Sequence, residues 1–294
     1  MLTCIKNKKM KTREVVKIVK GTSQVDGAGV HLVRVFGYRD TRDFDPFLML
    51  DAFDSSNPDD YVKGFPWHPH RGIETVTYLI SGRIDHEDSL GNKGTINAGG
   101  CQWMTAGSGI LHQEMPIASQ RMLGAQLWVN LPQKDKMTEP AYRDITAEMI
   151  PVITDENGEI RIISGSYNGT DGAMQADFVK VLYLDVTVYP GKTMHISTEE
   201  GSNLFTYIVE GEGKFGEKET EITSRSAILF DNGTQVKINA GENGLRLFLL
   251  SGNSLHEPIA WGGPIVMNTR EELNEAFEEL ENGTFIKHKP AGEV

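Results

Sequence analysis

From Glu14 to about Asn130 the chain is cut into short apolar or alternating runs. Clusters of Gly, Asp, Asn and Ser separate them: VDGAG at 25–29, DSSNPDD at 54–60, SG at 81–82, SLGNKG at 89–94 and NAGG at 97–100. A period of two puts one face of each run in a core, and the turn clusters fold successive runs back on one another. The same texture returns from about Ile160 to Leu250, in FVKVLYLDVTVYPG, LFTYIVEGEGKFG, SAILFDNG and LRLFLLSG. The pattern predicts an all-β chain of two tandem antiparallel barrels. Residues 14–135 are assigned to the first and 153–262 to the second. Residues 136–152 are polar, carry Pro140 and Pro151 and lack strand alternation, so they are read as a linker.

One helix is predicted, within a C-terminal segment 263–290. Thr269 and Glu272 form a capping box, Leu273, Ala276, Phe277 and Leu280 share a face, and Gly283 supplies the stop. The six Glu within 271–282 point into water.

A length of 294 residues suits two cores better than one. Hydrophobic residues at 39% and charged residues at 24% describe an ordinary globular protein. The net charge is −12, although five cations and no acid lie in the first thirteen positions. The body is therefore strongly acidic and repels phosphate backbones and anionic lipid, so neither nucleic acid nor a membrane is an expected partner. Cys4 and Cys101 make no disulfide framework, no apolar run is long enough to span a bilayer, and the basic opening has no apolar core of a secretion signal. A cytoplasmic location and a monomer are expected.

The chemistry is concentrated in GFPWHPHRGIETVTYLISG at 64–82 and CQWMTAGSGILHQEMP at 101–116. Residues two apart on a strand point the same way, so His68 and His70 form one claw and His112 and Glu114 another. If both line one barrel, three imidazoles and a carboxylate converge, a donor set suited to Fe(II), Ni, Mn, Co, Cu or Zn. Glu74, four residues after His70, would face the same lumen on an unbroken strand, and spacing does not choose between Glu74 and Glu114. Phe53, Trp67, Trp103 and Met104 are candidate walls for a flat ligand, with plain barrel core as the alternative for each. Arg71 is read as orienting a carboxylate, anchoring a loop or lying at the surface. The second barrel has one histidine, His195, where the first has a claw, so no metal is expected there; His195, His256 and His288 are read as surface or loop residues.

The HxH…E segment, followed by a Gly-rich turn and a third His, resembles the cupin double motif. DPFLMLDAF (45–53), HPHRGIETVTYLISG (68–82), QWMTAGSGILHQEMP (102–116), LWVNLP (127–132) and GPIVMNTREEL (263–273) together resemble the pirin family, over nearly the whole chain. The resemblance implies two face-to-face cupin barrels, a bicupin, with one divalent transition metal, Fe(II) foremost, in the first. It implies the ligands His68, His70, His112 and Glu114, which leaves Glu74 a non-ligand. Some pirins are similar in activity to quercetin 2,3-dioxygenases, which implies a small phenolic substrate and O2, with Glu114 as ligand and catalytic proton acceptor. It also implies an alternative: a metal- or redox-sensing co-regulator that binds a protein partner without turnover.

Overall fold

The computed structural model describes residues 10–288, so Cys4 and most of the basic opening lie outside the described residues. The first barrel is a seven-stranded sheet facing a four-stranded one. The larger sheet runs Ala141–Ile145, Cys101–Thr105, Ile73–Ser81, Met122–Asn130, Phe47–Ser55, Val30–Phe36, Thr22–Asp26; the smaller runs Phe65–His70, Ile110–Ile117, Arg83–Asp88, Lys93–Ile96. The second barrel is built on a nine-stranded sheet centred on the long strands Asn203–Phe215 and Gln235–Gly252.

Strand alternation decides what each barrel holds. On Ile73–Ser81, Val76 and Tyr78 join Phe36, Phe47 and Trp103 in a core shared with Tyr183, Phe205 and Phe248 of the second barrel. Phe36 stacks on Phe44 at 4.0 Å, and Phe205 meets Phe36, Phe44 and Phe47 edge-on. Tyr78 donates to Asp185 across this interface at 2.8 Å, and Arg246 grips the same carboxylate at 2.9 and 2.5 Å. The interior of the second barrel is filled by Ile, Leu, Val, Met and aromatic side chains. The first buries His70, His112, Glu114, Thr77 and Gln102 instead. Polar residues are kept in a core when they do something there, because each costs free energy unless it is bonded.

Strand pairing departs from the sequence boundaries at both ends of the first barrel. Val15–Lys20 pairs with Ser226–Phe230 and so edges the second barrel's sheet. Its alternation of half-buried and exposed positions fits any sheet edge, so the pattern is silent about which. Ala141–Ile145, inside the expected linker, pairs with Cys101–Thr105; only Ile145 on it is buried, too little apolar signal to read as a strand. The helix forms at Arg270–Glu281 with the Thr269–Glu272 capping box, buries Leu273 and Ala276, and stops at Gly283 with φ +69°. Ahead of it, Ala260–Gly262 and Ile265–Met267 form a hairpin, and Ile265 bridges to Arg71, which returns this segment to the first barrel. No helix among the described residues is long and apolar enough to cross a membrane.

Candidate metal centre

Phe65–His70 and Ile110–Ile117 run antiparallel with His68 opposite His112 and His70 opposite Ile110. This register brings the two claws together. The ring centroids lie 4.3 Å apart for His68 and His112, 4.9 Å for His68 and His70, and 5.1 Å for His70 and His112. One ligand nitrogen from each lies within 4.8 Å of the others; among the described residues, no other group of three His, Cys, Asp or Glu side chains closes in this way.

The protonation pattern follows from the partners. His68 Nδ1 meets the carbonyl of Pro66 at 2.8 Å and His70 Nδ1 that of Pro264 at 3.0 Å. A carbonyl only accepts, so each Nδ1 carries a proton, and whenever a ring is neutral its Nε2 holds the lone pair. Burial, followed by the neighbouring His68, holds His70 down to about 3, and burial with His70 and His68 holds His112 well below the ordinary imidazole range. Both nitrogens of His112 are buried without a hydrogen-bond partner. A buried imidazole with no partner and neutral neighbours with lone pairs turned inward fit a divalent transition metal, with the two carbonyls fixing the rings as outer-shell partners do.

Glu114 takes a different place from that expected of a claw mate. The pairing shifts between His112 and Glu114, so Glu114 stands opposite Phe65, and its carboxylate is outside the three-histidine group. It accepts from Gln126 Nε2 at 3.0 and 2.8 Å and from Thr77 Oγ1 at 3.1 Å, while lining the same cavity as His68 and His70. Glu74 faces elsewhere. Arg71 and Gly72, with φ +77°, separate the two strands, and Gly72 resets the alternation, so Glu74 shares a face with Val76 and Tyr78. Its carboxyl accepts from Thr105 at 2.7 Å, and burial pushes its pKa up.

The cavity in front of the histidines is about 760 Å³ and is lined by Tyr38, Met49, Trp67, Trp128 and Trp261, with Arg34 and Asp51 on one wall. Of the four expected wall residues only Trp67 is there. Phe53 packs with Tyr61 and Leu79, Trp103 lies in the core between the barrels, and Met104 packs among Ile73 and Ile110. Trp128 and Trp261 sit 5.7 Å apart at 32°, Trp128 meets His70 edge-on at 4.9 Å, and Tyr38 meets Trp261 at 5.8 Å. Sequence reasoning missed Tyr38, Gln126, Trp128, Trp261 and Pro264; GPIVMNTREEL was the only sign that the C-terminal segment mattered. Arg71 is fully buried and anchors a loop and a helix, donating to Ser108 O at 2.7 Å, Glu279 at 2.6 Å and Phe285 O at 2.9 Å. His195 and His256 are exposed and His288 half-buried.

Residues 29–129 match the Pirin family model and residues 183–286 the Pirin C-terminal cupin domain. A pirin-like protein of Caulobacter vibrioides is 42% identical over 94% of this chain and all of its own length. A Pseudomonas aeruginosa protein, whose name assigns it provisionally as a quercetin 2,3-dioxygenase, is 43% identical over 92% of this chain and 97% of its own. The crystal structure of a quercetin 2,3-dioxygenase from Acinetobacter baumannii superposes with a TM-score of 0.86 at 32% identity, covering 94% of this chain and 99% of the other.

Proposed function

From the premise that this chain belongs to the pirin family of two-barrel cupins, we propose that it is a metal-dependent dioxygenase that cleaves a flavonol such as quercetin with O2. The observation that carries the reading is His112, buried with both ring nitrogens unpartnered beside two imidazoles turned to the same point. The proposed ligands are His68, His70, His112 and Glu114, the last by a turn of its carboxylate away from Gln126. Fe(II) is the first choice of ion, with Ni, Mn, Co, Cu or Zn as the alternatives of the same donor set.

When bound, the ion supplies a Lewis acid that makes a substrate hydroxyl more acidic and a redox-capable centre for O2 chemistry. The rest is done by the chain. Trp67, Trp128 and Trp261 hold a flat ring system against the histidines and keep water from it. Glu114 accepts the proton of the substrate hydroxyl at a carboxylate oxygen; without the ion, Gln126 and Thr77 hold that carboxylate beside the histidines, and Thr77 keeps its bond when the carboxylate turns from Gln126. Cys101 is a free, buried thiol and takes no part; a reducing, cytoplasmic setting is proposed with it.

The test is consumption of quercetin and O2, with release of carbon monoxide, by protein loaded anaerobically with Fe(II). His68→Ala and Glu114→Ala should abolish turnover. An unchanged rate in both would place the chemistry elsewhere.

A further inference from the structure

Lys136 is almost wholly buried, at 1% exposure, and it lies in the stretch expected to be a linker. Its ammonium donates to Gly72 O at 2.9 Å, Asn130 Oδ1 at 2.7 Å and Val266 O at 2.9 Å, which uses all three of its hydrogens. Among the described residues no carboxylate pairs with it directly, and Glu257 and Glu272 act on it only from a distance. An ammonium buried without a directly paired carboxylate is costly, and an apolar side chain of similar length would fill the space more cheaply. What the ammonium does that a Leu or Met would not is hold carbonyl groups from separate segments together.

Those segments are the two that set His70. Gly72 is two residues beyond His70, and Val266 two beyond Pro264, whose carbonyl fixes the His70 ring from 194 residues away. The backbones touch here: a Cβ on Gly72 would lie 2.0 Å from Val266 O, and Val266 N donates to Arg71 O at 3.1 Å. Two carbonyl dipoles brought this close repel one another, and a cation between them turns repulsion into attraction. Asn130, the third acceptor, ends the strand that carries Gln126 and Trp128.

We infer that Lys136 is a positioning residue of the metal centre, tying the His70 strand to the C-terminal hairpin so that the Pro264 carbonyl presents His70 Nε2 to the ion. The inference rests on the metal-site reading of the three histidines. Arg71 anchors the helix end of the same segment, at Glu279 and Phe285, whereas Lys136 acts on the hairpin that bears the carbonyl.

The experiment uses the full chain and Ni(II) as probe, with affinity measured by chelator competition well below each variant's melting temperature. Lys136→Met should weaken Ni(II) binding by about 10–100-fold, the usual cost of losing an outer-shell partner. Lys136→Met/Asn130→Leu, which removes one of the orphaned acceptors, should stay weak even where it melts higher than the single variant. Leu247→Ala, in the core of the second barrel, supplies a destabilised control and should bind Ni(II) as the wild type does. Affinity within twofold of wild type in both Lys136 variants overturns the inference. Should neither fold, hydrogen exchange on the wild type decides: Ni(II) should slow the Val266 amide, and no change counts against the tie. The underlying reading fails separately, if the wild type binds Ni(II) no better than His112→Ala.

Discussion

His68 Nε2 and His70 Nε2 face each other at 3.1 Å while a backbone carbonyl holds the opposite nitrogen of each ring. Two lone pairs aimed at one point repel until a cation lies between them. A divalent ion should therefore stabilise the fold, by ~2.7 kcal/mol when it is present at one hundred times its dissociation constant. Calorimetry with and without Ni(II) or Fe(II) should show a melting point several degrees higher with the ion, and no such rise in His112→Ala. Equal shifts in both proteins would mean that the ion binds elsewhere.

Glu114 sits where it serves as proton acceptor. Glu114→Gln keeps the size of the side chain and removes its basicity, so kcat should fall by about 10²–10⁴-fold with quercetin. The melting temperature of the ion-free protein should fall modestly, since an amide oxygen still accepts from Thr77 while the amide NH2 meets the Gln126 donor. A kcat within a few-fold of wild type would remove the proposed role.

Trp261 reaches the cavity from the C-terminal hairpin and leans on Trp128. Trp261→Ala should raise KM for a flavonol about ten-fold or more and leave kcat nearly unchanged, because it deletes contact with the bound ring and touches no reacting atom. Quenching of tryptophan fluorescence by quercetin, followed in both proteins, measures the same loss at equilibrium.

Burial pushes the Lys136 ammonium down to about 7, against 10.5 when the chain is unfolded. Between these values the unfolded chain holds a proton that the folded one has released, so folding stability should rise with pH across this window, by up to about 1.4 kcal/mol per unit, while the neutral amine keeps two of its three donor hydrogens and the tie to Gly72 and Val266 loosens. Denaturant unfolding from pH 7 to pH 10 should show that rise in the wild type and its absence in Lys136→Met. Parallel curves would assign the pH dependence to other groups.

Tyr78 and Arg246 share the buried carboxylate of Asp185 across the contact between barrels. Tyr78→Phe removes one donor to a buried charge and should cost about 1.5–3 kcal/mol. Because the two barrels share one core, the loss should appear as a shift of a single unfolding transition. A second transition emerging in the variant would show that the barrels unfold independently.

Much of this site was legible because strands obey a short-range rule. A period of two placed His68 with His70 on one face, and residues 110–117 stay extended through His112, so the three imidazoles come together. Glu74 escaped the rule because Gly72 interrupts the strand, and alternation cannot be carried through a residue with a positive φ. Trp103 and Met104, adjacent on one strand, went to opposite sides, one into the contact between barrels and one toward the site. Which side is lumen depends on what covers the other face.

The chain's local pattern was sufficient for two β barrels, a capped terminal helix and a first interior carrying three imidazoles. Periodicity and turn chemistry act over a few residues, and they are written in consecutive letters. Tertiary structure alone decided that Val15–Lys20 edges the far barrel, that the carboxylate of Glu114 turns to Gln126, that Pro264 holds His70 and that Lys136 holds Val266. Those contacts join segments up to about two hundred residues apart, and their partners are fixed by packing and burial of the assembled barrels, which no short stretch of sequence encodes.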